Sequence, residues 1–159
     1  MIKSNFQKVI DFNRQFGVTV HDNPQPNILD EDPKLVKLRL SLIHEEVKEL
    51  TDSIAEKNII EVIDALTDIL YVVYGAGASF GLDLDKAFDI VHNSNMSKSC
   101  ETEQLALETV EWYKKNEPRY DSPSCHKIGD RWVVFNESTG KVLKSIAYIP
   151  ADLKELIRN

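Results

Sequence analysis

The stretch EVIDALTDILYVVYG, residues 61–75, decides the fold. Its apolar residues lie almost all the way round a helical projection, as they do in helices that are buried on every side. We therefore predict a buried helix from Asn58 to about Phe80. Gly81 follows as its C-terminal stop.

Three acids interrupt this apolar helix. Glu61, Asp64 and Asp68 are spaced at i, i+3 and i+7, so they share one narrow stripe. No Lys or Arg lies between Lys57 and Lys86, so the helix has no cation of its own to pair with them. Buried carboxylates without a partner are unfavourable or take up protons. The positive charge must come from another helix or from bound metal ions.

The preceding helix, predicted from Pro33 to about Lys57, carries a second set of acids. One apolar face repeats in steps of four and three residues: Val36, Leu40, Ile43, Val47, Leu50 and Ile54. A second stripe, formed by Leu35, Leu38 and Leu42, leads along the helix axis to two of the acids. We predict that Glu46 and Glu49 point into the protein and that Glu45 lies at the margin.

An acidic run such as EEVKE is, taken alone, typical of a solvated helix face with Glu–Lys pairs. The acids of the next helix argue for a different interpretation. Two acid-bearing helices that pack together repel each other unless divalent ions bind between them. Carboxylate oxygens favour Mg²⁺ or Mn²⁺ over Zn²⁺. HEEVK is not a zinc protease motif, because Lys48 stands where a second His is needed.

The rest of the chain is predicted to form further helices, followed by a β-hairpin and a short terminal helix. We predict a helix over residues 4–16, a loop over 18–31, a helix capped by Asp83, and a helix that begins at Thr102 and ends at Pro118. RWVVF and KVLKSIAYI resemble two strands of a β-hairpin, and ADLKELI a short terminal helix. The predicted fold is an all-α bundle of about four to five helices, residues 1–118, with a hairpin appendage, residues 119–159.

Composition restricts the possible partners. The 159 residues carry 26 acids and 19 bases, a net charge of −7, which argues against a general nucleic-acid or anionic-membrane surface.

Cys100 and Cys125 show no metal or disulfide spacing, so we expect a reducing, cytoplasmic location. We expect no targeting or membrane segment. Trp112 and Trp132 are interpreted as packing residues rather than as a base-stacking pocket.

The acids also form a recognisable signature. Glu45, Glu46 and Glu49 make an EExxE motif, and Glu61 and Asp64 make an ExxD motif on the next helix. Together they resemble the all-α nucleoside triphosphate pyrophosphohydrolases, which include MazG-like proteins, dimeric dUTPases and phosphoribosyl-ATP pyrophosphohydrolases. The resemblance runs from about residue 5 to residue 98. YVVYGAGASFGLDLDKAF and HNSNMSK are similar to the phosphoribosyl-ATP branch in particular.

Two alignments of the second motif stay open. ExxD matches Glu61 and Asp64 letter by letter. Aligning the downstream residues Tyr71, Gly81 and Asn95 instead places Asp68 at the final position, with Ala65 where the motif has Glu. All three acids share one stripe, so a metal site is predicted by either alignment.

The resemblance implies hydrolysis of a nucleoside triphosphate to a monophosphate and pyrophosphate with Mg²⁺, or Mn²⁺, as cofactor. The implied metal ligands are Glu46, Glu49, Glu61, Asp64 and Asp68. Glu45 and Glu46 are the implied catalytic pair, with Glu45 binding a second ion or orienting the attacking water. Asn95 and Lys98 resemble nucleotide contacts, although they are also ordinary residues at a helix C-terminus. Arg39 is a further candidate cation for the substrate, with a surface ion pair as the alternative.

Alternatives of other kinds stay open at this point. The same acids could hydrolyse phosphoribosyl-ATP in histidine biosynthesis, or the chain could be a non-catalytic module that binds a nucleotide or a partner protein. The apolar surface exceeds what these helices cover, and residues 75–78 are small enough for close helix approach. We therefore predict that dimerisation completes the bundle, giving a homodimer or a higher homo-oligomer.

Overall fold

The structure, a computed structural model, describes residues 2–157 and divides into two compact units. Of the described residues, the first unit contains residues 2–87 together with 153–157, and the second contains residues 88–152. This division follows compactness alone. The predicted domain boundary at residue 118 stays a prediction.

The first unit is helical. Its helices are α1 (Asn5–Gln15), α2 (Ile28–Glu31), α3 (Pro33–Ala55), α4 (Ile59–Phe80) and the start of α5 (Leu84–Met96). The long helices lie where the sequence predicts them. The loop predicted over 18–31 is wrong at its end, because α2 forms a single turn there. The terminal segment Leu153–Ile157 is a 3₁₀ helix.

Side chains at the helix ends explain these boundaries. The Asp32 carboxylate accepts a hydrogen bond from the backbone N–H of Leu35 at 3.0 Å, and Pro33 occupies the first turn of α3. Asn58 caps α4 in the same way. Gly81 ends α4 with φ of +70°, and a Cβ at this position would lie 1.9 Å from the carbonyl oxygen of Asn23. Only glycine fits there.

α3 packs against α4 through a face that carries polar residues. Arg39, Glu46 and Ser53 are seven residues apart and lie on this face; Arg39 and Ser53 are buried, and Glu46 is half-buried. The apolar stripe one residue further along, at Leu40, Val47 and Ile54, is exposed. Periodicity located the stripe but not what covers it.

α4 also differs from its prediction. It was expected to be buried all round, yet Ile59, Ile63, Leu66 and Leu70 form one exposed stripe along its length. Its buried residues are Ala65 and the run over residues 75–79 near its C-terminus. In a single chain, α3 and α1 cover one side of α4 and leave the other side open.

The second unit combines a helix with a small sheet. α6 (Glu103–Asn116) packs on an antiparallel sheet of β1 (Pro123–Ile128), β2 (Arg131–Asn136) and β3 (Lys141–Leu143), in the order β1-β2-β3. Its core consists of Cys100, Ala106, Val110, Tyr113, Val134 and Leu143. The hairpin of β2 and β3 is confirmed, although β3 is shorter than KVLKSIAYI. β1 was not predicted from the sequence.

Cys100 is buried in this core, and Cys125 is half-buried; neither forms a disulfide. Trp132 packs against the same core, which confirms its interpretation as a packing residue. Across residues 2–157, no helix combines the length and the apolar character that a membrane crossing requires.

Candidate functional site

Glu46 is the centre of the acidic group. Its Oε2 atom is buried and has no hydrogen-bond partner among the described residues. Burial raises the pKa of Glu46 above its ordinary value, and repulsion from Glu49, Asp68, Glu45 and Asp64 raises it further. Within residues 2–157, no Lys, Arg or His forms an ion pair with this carboxylate.

This repulsion shows which acids the fold brings together. Glu45 and Glu49 lie on the same helix as Glu46, whereas Asp64 and Asp68 come from α4. Asp68 is half-buried, and the other three are exposed. The prediction that Glu49 points into the protein is therefore wrong for the single chain; exposure of Glu45 agrees with its predicted place at the margin.

Glu61 is not among the acids that raise the pKa of Glu46. It is exposed in the first turn of α4, where its backbone N–H donates to the side chain of Asn58 at 3.4 Å. The α4 charges that raise the pKa of Glu46 come instead from Asp64 and Asp68. Asp68, which only one of the two alignments assigns to the second motif, therefore lies near Glu46 of the first motif.

The chemistry of these side chains fits a hard divalent cation. Within residues 2–157, no three His, Cys, Asp or Glu side chains are already arranged around one point. The orphaned oxygen of Glu46 nevertheless lies among carboxylates from both helices, and an all-oxygen set is the one that Mg²⁺ and Mn²⁺ prefer. Exposed Glu49 and Asp64 have room to turn toward an ion. The residues fit Mg²⁺, but its binding stays a prediction.

Arg39 is buried one heptad before Glu46. Only 6% of its surface is exposed, and its Nε and Nη2 atoms have no hydrogen-bond partner in the described part of the chain. Burial lowers its pKa. The alternative of a surface ion pair is therefore wrong. Seven residues correspond to about 10 Å along a helix, too far for Arg39 to pair directly with Glu46.

Gly75 and Asn13 surround this buried guanidinium. A Cβ on residue 75 would lie 3.4 Å from Nη1 of Arg39 and 3.9 Å from Nδ2 of Asn13. The Asn13 amide nitrogen is also buried without a partner within residues 2–157. Sequence reasoning did not single out Asn13. Its place four residues after Val9, on the apolar face of α1, was the available signal.

The two remaining predicted residues lie in the second unit. The Lys98 ammonium donates a hydrogen bond to Oδ1 of Asn95 at 2.7 Å, just beyond the end of α5. Their predicted role as nucleotide contacts stays a prediction, as does a substrate role for Arg39.

The helical region matches a known protein family. The family model described as phosphoribosyl-ATP pyrophosphohydrolase matches residues 9–95, more than half of the chain. The chain belongs to the phosphoribosyl-ATP pyrophosphohydrolase family. This family is part of the MazG-like nucleoside triphosphate pyrophosphohydrolase superfamily. Membership supports a nucleotide pyrophosphohydrolase activity in general terms and does not specify the substrate.

The chain is also similar to an uncharacterised protein of Acanthamoeba polyphaga mimivirus. The two are 32% identical over an alignment that covers 89% of this chain and 91% of that protein. This match extends beyond residues 9–95. The similarity is therefore not limited to the helical region that carries the acids.

Proposed function

We propose that this protein hydrolyses a nucleoside triphosphate to the nucleoside monophosphate and pyrophosphate in a Mg²⁺-dependent reaction. The observation that carries the proposal is the buried, unpartnered carboxylate oxygen of Glu46 among acids from two helices. Structural carboxylates that serve only the fold are normally paired or solvated. Membership of a pyrophosphohydrolase family supplies the reaction class.

In this proposal, Glu46, Glu49, Asp64 and Asp68 hold Mg²⁺, and Glu61 is a further candidate ligand. A bound Mg²⁺ would neutralise the acids and the triphosphate together and would lower the pKa of a bound water. Glu45, exposed next to this group, orients the attacking water or helps to bind a second ion.

The exposed apolar stripes support a second part of the proposal. The first unit exposes two apolar stripes. They are formed by Ile59, Ile63, Leu66 and Leu70 on α4 and by Leu40, Val47 and Ile54 on α3. Exposed apolar surface of this extent is unusual for a monomer in water. We propose that a second copy of the chain covers it. A cytoplasmic location, where nucleotides and Mg²⁺ are available, belongs to the same proposal.

The test is an assay of pyrophosphate release. Purified protein is incubated with ribo- and deoxyribonucleoside triphosphates and with phosphoribosyl-ATP, each with Mg²⁺ and with EDTA. We expect release with at least one substrate and none with EDTA. Asp68→Asn should lower the rate by about two orders of magnitude or more, since loss of a ligating carboxylate weakens the metal site.

The matched control is Glu56→Gln, an acid at the C-terminus of α3 that is exposed. It removes one carboxylate charge from the end of α3, the helix that packs against α4, and should leave the rate unchanged. Absence of pyrophosphate with every substrate would contradict hydrolysis and favour a binding module. Equal loss in Glu56→Gln and Asp68→Asn would show that the effect is not specific to the site.

A further inference from the structure

The second unit contains a cavity of about 480 Å³, formed between α6 and β3 and their flanking loops. This volume lies within the range of about 300–1,000 Å³ that is usual for small-molecule sites. None of the acids proposed to hold Mg²⁺ lines it. Of the residues predicted for the acidic site and its substrate, Lys98 alone lines the cavity, so we treat the cavity as a separate candidate site; it is built largely from the part of the chain beyond the family match at residues 9–95.

Aromatic rings form one wall of this cavity. Tyr113 is buried and contacts Trp112 edge-on, with ring centroids 5.1 Å apart, and Tyr120 edge-on at 5.5 Å. The Tyr113 hydroxyl accepts a hydrogen bond from the backbone N–H of Lys144 at 3.1 Å, which fixes the ring. Trp112 is 44% exposed, so part of its ring is open for stacking. Its interpretation as a packing residue is incomplete.

Cations surround the same wall. Lys98, Arg119, Lys141 and Lys144 line the cavity, against Glu117 as its one acid. The Arg119 guanidinium lies 5.0 Å from the centroid of Tyr120, and the Lys141 ammonium lies 5.2 Å from it. Glu117 pairs with Arg119 at 2.8 Å. Within residues 2–157, no carboxylate forms an ion pair with Lys98, Lys141 or Lys144.

This local excess of positive charge stands out in a chain whose net charge is −7. We propose that the cavity binds a nucleoside phosphate without a metal ion, with the base on Trp112 and the phosphates on Arg119, Lys141 and Lys144. An exposed indole beside several cations suits a ligand with a flat ring and negative charge. The limited volume of the cavity and the net acidity of the chain favour a single nucleotide over a long polyanion.

Metal dependence separates this site from the acidic one. The carboxylates of α3 and α4 repel a phosphate unless a divalent ion lies between them. The cavity of the second unit needs no such ion, because its own side chains are cationic. Mg²⁺ bound to the phosphates would reduce their charge and weaken binding here.

Isothermal titration calorimetry with ADP and UDP in EDTA tests the proposal. We expect saturable binding with one site per chain, weaker at higher salt and weaker when Mg²⁺ replaces EDTA. Pyrophosphate alone and adenosine alone should each bind at least tenfold more weakly than ADP. Asp68→Asn should leave ADP binding unchanged, because Asp68 does not line the cavity.

Variants identify the residues. The double variant Arg119→Ala, Lys141→Ala should weaken ADP binding at least tenfold, since hydrogen bonds between charged groups are the stronger ones. Trp112→Ala should weaken it severalfold, while Lys141→Arg should retain most of it and show that the fold survives. Lys127→Ala removes an exposed cation of β1 that does not line the cavity, and it should have no effect.

Four outcomes would overturn the proposal. They are the absence of ADP binding in EDTA, equal weakening by Lys127→Ala, loss of binding in Asp68→Asn, and tighter binding of a ten-nucleotide single-stranded RNA than of ADP. None of these bears on pyrophosphate release at the acidic site, so the proposal and the hydrolase function can fail independently.

Discussion

Glu46 on α3 and Asp68 on α4 come close enough across the helix interface for repulsion between their charges to raise the pKa of Glu46. The main contact between the two longest helices of the first unit therefore contains an unfavourable interaction. A cation placed between the two carboxylates would convert this repulsion into attraction.

Removal of the Glu46 charge should stabilise the metal-free protein. Because folding raises the pKa of Glu46, its contribution to stability is fully present below the ordinary value of 4.5 and is lost as pH rises through the raised value. At neutral pH the charge thus opposes folding. Glu46→Gln should raise the melting temperature in EDTA at pH 7, measured by circular dichroism, and the difference should shrink on acidification.

Glu56→Gln is the control for this prediction, since Glu56 is exposed at the end of the same helix. It should leave the melting temperature unchanged. A lower melting temperature for Glu46→Gln than for the wild type in EDTA would mean that Glu46 has a stabilising partner that the structure does not show.

Two glycines of α4 should respond oppositely to alanine. At Gly75 the new methyl would make ordinary contacts, 3.4 Å from Arg39, so Gly75→Ala should stabilise by up to about 1 kcal/mol through helix propensity. At Gly77 it would lie 2.5 Å from Cγ of Leu84. Gly77→Ala should therefore destabilise by about 1–2 kcal/mol, since overpacking outweighs propensity.

Urea unfolding followed by circular dichroism measures both changes, and each glycine variant serves as the control for the other. If Gly77→Ala proved as stable as Gly75→Ala, the close approach of Leu84 to α4 would be contradicted.

A charge on the exposed face of α4 should prevent self-association. Ile63 lies in the middle of the exposed stripe, and a buried, unpaired glutamate at an interface would be strongly unfavourable. Ile63→Glu should shift a dimer to monomer in sedimentation velocity. Leu107→Glu, on an exposed position of α6, should not. A wild-type chain that sediments as a monomer would contradict the proposed dimer.

The turn after β2 should weaken in acid. The Asp121 carboxylate accepts hydrogen bonds from Ser138 at 2.5 Å, Asn136 at 3.0 Å and Ser122 at 3.0 Å, and these lower its pKa. Its stabilising contribution is thus present above the ordinary value of 3.8 and is lost as pH falls from there through the lowered value.

Asp121→Asn should therefore destabilise the second unit at neutral pH, measured by urea unfolding and tryptophan fluorescence. The difference from the wild type should shrink below pH 3.8, where the wild-type carboxylate also becomes protonated. A difference that stayed constant across this range would show that the carboxylate charge is not what holds the turn.

The sequence predicted the helices and most of their ends, because caps such as Thr102 and Gly81 act locally. It also identified the acids, since three carboxylates at helical spacing in an apolar segment are unusual. It predicted that Glu46 points into the protein, but it did not predict that Arg39 is buried on the same face while Leu40 and Val47 stay exposed. Hydrophobic periodicity locates stripes on a helix but does not say whether the same chain covers them.

β1 and the cavity of the second unit were not predicted for a related reason. Most of Pro123–Ile128 shows little apolar alternation, and the segment becomes a strand through its pairing with β2. The cavity joins Lys98, Trp112 and Lys141 from separate parts of the chain. Contacts of this kind depend on tertiary packing, which one sequence without its fold does not display.

The most direct test of the central claim is a double-mutant cycle on Mn²⁺ binding, measured by electron paramagnetic resonance with wild type, Glu46→Gln, Asp68→Asn and the double variant. If acids of α3 and α4 hold the same ion, each single change should weaken Mn²⁺ binding at least tenfold. The change in binding free energy of the double variant should then be well below the sum of the two single changes. Additive effects, or Mn²⁺ binding that neither change affects, would contradict a shared metal site.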